Sequence, residues 1–131
     1  MTSDDGVKRL IFHAQPEDGS FLDMLRPYRG LKEDVPADVI NALRAAAPRL
    51  LDGDPPRELV SALWAISYLG RSWGLDSSGM LRRNKLIAEV DQAKLAGFLE
   101  RFDHAIMTLL EGGDVDEAFP EPRTCPRDDQ V

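Results

Sequence analysis

Between Val39 and Leu50 the apolar residues Val39, Ile40, Leu43, Ala46, Ala47 and Leu50 recur at helical spacing. At 100° per residue they fall within an arc of about 120°, which predicts a helix with one buried face. Asp34 offers its N-cap, and Pro36 is tolerated in the first turn. Pro48 lies on the opposite side and deletes the bond to the Arg44 carbonyl, so a kink or a loosened last turn is expected there. The clearest helix runs from Glu89 to Glu111. Leu95, Phe98, Leu99, Phe102, Ile106, Leu109 and Leu110 share an arc of about 100° on it, and Gly112-Gly113 stops it.

A third long helix starts after Asp54-Pro55-Pro56 and has a less ordinary pattern. Leu59, Leu63, Ile66, Gly70 and Trp73 form one stripe, with Gly70 placed to let a neighbouring helix approach. Gly74 is its expected stop and Gly70 the competing one. Val60, Trp64 and Tyr68 form a second apolar stripe, with Arg71 aligned behind them. A helix apolar on two faces is either the centre of a fold or half of an interface. The first expectation is that the N-terminal arm or first helix covers the second stripe. The alternative leaves Trp64, Tyr68 and Arg71 exposed as an anchor, and these residue types dominate binding hot spots.

Elsewhere the pattern is weak. Ser20-Phe21-Leu22-Asp23 reads as a capping box opening a short helix that Pro27 ends. Residues 1–6 read as disordered and Val7 to His13 as a short strand or extended arm. The stretch 114–131 is acidic and proline-rich, as in a tail, although Ala118-Phe119 could pin part of it. The chain therefore reads as all-α. The expected architecture is a compact bundle of three long helices and one short N-terminal helix, with an extended N-terminal arm. Residues 1–113 form one domain and 114–131 an acidic Pro-rich tail.

Charge sharpens this picture. The 131 residues carry a net −7, which disfavours nucleic acid and anionic membranes as partners. Residues 55–88 run against it: Arg57, Arg71, Arg82, Arg83 and Lys85 outnumber Glu58 and Asp76. Within them, Leu75, Met80, Leu81, Leu86 and Ile87 can anchor a loop that presents Arg82, Arg83, Asn84 and Lys85 together. Arginine forks suit a carboxylate or phosphate. The bland reading is a solvated basic loop that neutralises the acids of the last helix.

Candidate chemistry is sparse. His104 has Glu100 and Glu111 near it in sequence, but all three fall outside the core arc, so an exposed pair is expected rather than a metal site. His13 reads as structural. Cys125 is single, flanked by prolines and far in sequence from any histidine, which suits a reducing compartment. P-loop, GxGxxG and CxxC motifs are absent. The N-terminus carries acids where a secretion signal needs bases. Arginine outnumbers lysine twelve to four, a bias associated with GC-rich bacterial genomes.

The reading is a small acidic, cytoplasmic, non-catalytic protein-binding module of the immunity, antitoxin or adaptor kind, without cofactor or metal. Its surface is Trp64, Tyr68, Arg71, Trp73, Arg82, Arg83, Asn84 and Lys85. The partner is another protein, and a homodimer is compatible. The alternative is a small-molecule or anion-binding module with an arginine-lined pocket around Arg71, Trp73, Arg82 and Arg83.

Overall fold

The computed structural model describes residues 1–28 and 30–120, and helices dominate it. In chain order they are α1 (Ser3–His13), α2 (Phe21–Leu25), α3 (Asp34–Leu51), α4 (Arg57–Gly70), α5 (Met80–Arg83), α6 (Glu89–Leu110) and α7 (Val115–Ala118). A π-helical turn, Arg71–Leu75, continues α4. No strand forms among the described residues, and no helix among them is long and apolar enough to cross a membrane.

The arm expected over residues 7–13 is instead part of α1. Thr2 caps it: Thr2 Oγ1 accepts from the Asp5 N–H (3.1 Å) and Asp5 Oδ2 accepts from the Thr2 N–H (3.2 Å). These bonds hold the Asp5 carboxyl below the usual carboxylate range. The face α1 buries is Gly6, Leu10 and His13, which shows no apolar stripe in sequence. Gly6 is the reason α1 docks so closely. A Cβ there would lie 2.6 Å from the Ala42 carbonyl oxygen, 2.8 Å from the Ala46 nitrogen and 2.9 Å from Ala45 Cβ. The backbones of α1 and α3 therefore touch along a seam of small residues.

His13, 1% exposed, fastens the other end of α1. Its Nδ1 accepts from the Phe21 N–H (3.0 Å), so its proton is on Nε2, which donates to Asp38 Oδ2 (2.7 Å). Arg9 Nε donates to the same oxygen (2.6 Å). One imidazole thus ties α1 to the start of α2 and to α3.

The long helices bury the stripes expected of them. Val39, Leu43, Leu50, Leu59, Leu63, Ile66, Leu95, Phe98, Leu99 and Phe102 are all in the core. Phe98 packs on Phe21 and Phe102, with ring centroids 5.3 and 5.6 Å apart. α3 continues through Pro48 to Leu51. Leu110 departs from the expected arc: it is 48% exposed on the flank of α6.

Gly70 lies within continuous helical backbone, and the winding continues past it to Leu75. A Cβ at Gly70 would meet Leu99 Cδ2 at 3.2 Å and Phe21 Cε2 at 3.3 Å. Both are side-chain atoms with some room to yield. Gly70→Leu is expected to destabilise the fold by roughly 1–3 kcal/mol through overpacking, read from urea unfolding. A neutral result would remove the close-approach role assigned to this glycine.

The helical domain also extends beyond Gly113. Asp114 and Glu117 form a capping box that starts α7. Ala118 is buried, and Phe119 packs half-buried against the core beneath the Arg44 guanidinium, 4.9 Å from its ring centroid. The rest of the expected tail, including Cys125, lies outside the described residues.

Candidate functional site

The second stripe of α4 is open. Trp64 is 68% exposed and Tyr68 54%, and their rings stack with centroids 5.9 Å apart and planes 17° from parallel. The N-terminal segment does not cover them. The glycine–alanine seam holds α1 on α3, and Ile11 and Ala14 meet α4 along its Glu58, Ala62 and Ala65 edge. That edge lies roughly 100–120° around the helix from Trp64, at 100° per residue.

Beside Trp64 runs a groove of about 440 Å³ between α4 and α6. Val60, Leu63 and Trp64 form one wall, and Ile106, Met107 and Leu110 the other. Val60, Met107 and Leu110 are themselves exposed. Across its middle, Asp103 accepts from Ser67 Oγ (2.7 Å) and is paired with Arg71. Asp103 therefore has directed partners, and Arg71 is a tie between α4 and α6 rather than a free cation.

The other residues expected at the site are distributed elsewhere. Trp73 turns toward the core, half-buried, with the Arg26 guanidinium 5.5 Å from its ring centroid. Arg82 Nη1 donates to the Leu75 carbonyl (2.9 Å), which closes α5 onto the π turn. Gly79 fits against the Ser72 carbonyl with no room for a Cβ. Asp76 accepts from the Ser78 N–H and hydroxyl, which keep its carboxyl below the usual range. Arg83, Asn84 and Lys85 are exposed at the end of α5, where Lys85 adopts φ +57°. Trp64, Tyr68 and Arg71 share one face; Trp73 belongs to the core, and Arg82 to Lys85 to a surface turn.

Met107 and Leu110 are the contributors that the sequence did not single out as binding residues. Asp103, Met107 and Leu110 recur at i, i+4 and i+7, a narrow stripe flanking the main arc of α6. A second omission is Gly70-Arg71-Ser72-Trp73-Gly74, which has the GxSxG spacing of a nucleophile elbow. That motif needs a strand-to-helix turn. Here it spans the end of α4 and the π turn, and no hydrogen bond joins Ser72 to either histidine among the described residues.

His104 does not pair with Glu100. Its Nε2 bonds the Glu117 carbonyl oxygen (3.0 Å), tying α7 to α6. Among the described residues no three His, Cys, Asp or Glu side chains are grouped to hold a metal ion. No protein-family model, curated protein or solved structure matches the chain.

Proposed function

We propose that this chain is a non-catalytic binding module that receives an amphipathic helix of another protein in the groove between α4 and α6. The observation that carries the reading is the exposed, stacked Trp64–Tyr68 pair beside exposed Val60, Met107 and Leu110. Scattered apolar residues on a surface need no explanation, but a contiguous aromatic and aliphatic patch marks an interaction site. Two adjacent helices present ridges between which a third fits, and methionine adapts to the side chains of the incoming one.

Charge favours a foreign partner over a second copy. Two chains of net −7 repel, whereas a helix with lysine or arginine flanking its apolar face meets the acidic rim at Glu111. Arg71 acts indirectly in this scheme by holding Asp103 in place, and Arg83 and Lys85 lie off the contact.

Site-specific photo-crosslinking in cells tests the reading. A photoreactive residue replacing Tyr68 should trap a partner, and one replacing Arg83 should not. A peptide spanning the trapped segment should then bind the purified chain. Trp64→Ala should weaken it at least about tenfold, as hot-spot tryptophans do, while Arg83→Ala changes it less than about twofold. Equal affinity for wild type and Trp64→Ala would reject the groove as the docking site. A trapped second copy of the chain would replace the foreign helix with a homodimer.

A further inference from the structure

A second cavity, of about 620 Å³, lies between α3, α6 and α7. This volume is within the range of roughly 300–1,000 Å³ that small-molecule sites occupy. Ile40, Ala118 and Phe119 supply its apolar surface. Arg44 and Arg101 stand over that surface from α3 and α6, with Glu100 and His104 beside them.

The two arginines differ from others on the molecule. Arg9 pairs with Asp38, Arg49 with Asp4 and Arg71 with Asp103. Neither Arg44 nor Arg101 forms an ion pair among the described residues, in a chain whose acids outnumber its bases 23 to 16. Arg44 is instead held over the Phe119 ring, a contact that orients the guanidinium without neutralising it. The His104–Glu117 bond secures α7, so the Phe119 wall is attached to α6.

We infer that this cavity binds a small monocarboxylate with an aromatic or branched apolar body. The carboxylate takes the forked donors of Arg44 and Arg101, and the body lies on Ile40 and Phe119. Guanidinium forks match the two oxygens of a carboxylate, and such charge-assisted bonds are about twice as strong as neutral ones. Glu100 limits the negative charge that can enter, which favours a monoanion over a phosphate. This site is separate from the Trp64 groove and does not depend on its role.

The test is a titration of the uniformly ¹⁵N-labelled full chain with 1-naphthoate, compared with its neutral counterpart 1-naphthalenemethanol. Naphthoate should give saturable amide shifts centred on Arg44, Arg101, His104 and Phe119, with the alcohol at least about tenfold weaker. Arg44→Gln and Arg101→Gln, both at exposed positions, should each weaken naphthoate at least about fivefold and leave the alcohol unchanged. Spectra away from the cavity report whether these variants keep the fold. Trp64→Ala should bind naphthoate as the wild type does. Equal binding of acid and alcohol, shifts centred on Val60 to Met107, or no saturable shift at millimolar naphthoate would each overturn the inference.

Discussion

Gly6→Ala is expected to destabilise the protein by about 3 kcal/mol or more, at the upper end of overpacking effects. The added methyl would sit 2.6 Å from the Ala42 carbonyl oxygen and 2.8 Å from the Ala46 nitrogen. Those atoms belong to the backbone of α3, which cannot rotate away as a leucine side chain can. α1 must move as a whole, and the His13 bonds at its other end resist that movement. For a domain of this size, 3 kcal/mol is a large share of a typical total of about 5–15 kcal/mol. Gly97→Ala provides the contrast. Its Cβ would meet Arg101 Nη1 at 3.6 Å, ordinary contact, so the gain in helix propensity should stabilise by roughly 0.5–1 kcal/mol. Urea unfolding of both variants checks the pair. If Gly6→Ala lies within about 0.5 kcal/mol of wild type, the seam does not hold α1.

The second large effect is acid sensitivity through His13. Burial lowers its pKa below the ordinary 6.5, against the hydrogen bond and charge of Asp38, and with Arg9 adding to the lowering. The folded chain therefore binds this proton less readily than the unfolded chain. Its contribution is fully present above about pH 6.5 and declines as the pH falls from there through the lower folded value. Burial of Asp38 opposes its ionisation, but the bonds from His13 and Arg9 prevail and hold its carboxyl below the ordinary 3.8. Asp38 therefore stays charged through that window.

Protonation of Nδ1 would also place a hydrogen where the Phe21 N–H now donates. The melting temperature should be level above pH 7 and fall steadily below about 6.5. His104→Gln should keep that slope and His13→Ala should abolish it. His13→Ala is itself expected to cost about 2–4 kcal/mol, because the Phe21 amide and Asp38 lose a partner and a cavity opens. A wild type whose melting temperature is flat between pH 7 and 5 would show that His13 is not the acid-sensitive tie.

What could be read from the chain follows from how each element is stabilised. α3 and α6 bury continuous apolar stripes, and their periodicity is plain in Val39 to Leu50 and Leu95 to Leu109. α1 depends on a capping box, a glycine and a histidine, so its buried face carries little hydrophobic signal. The cationic site expected around Arg71 assumed that its charge is free. Asp103, 32 positions away, pairs with it, and a tally of charge along the chain cannot detect such a bond. Trp64 and Tyr68 were legible as a stripe, but their exposure was not. That depended on where α1 settled, and so on Gly6 meeting Ala42 and Ala46.

The π turn after α4 makes chain length a determinant of orientation. The Asp76 N–H reaches five residues back to the Arg71 carbonyl (2.9 Å), one more than an α turn encloses. Deleting one residue between Ser72 and Leu75 would leave the number needed for ordinary α winding. Everything downstream would then turn by about 100° about the helix axis, taking Gly74 off Leu95 and swinging Leu81 out of the core. At this point the fold reads an insertion or deletion as a rotation, so two chains differing there by one residue would differ in handed placement more than in length.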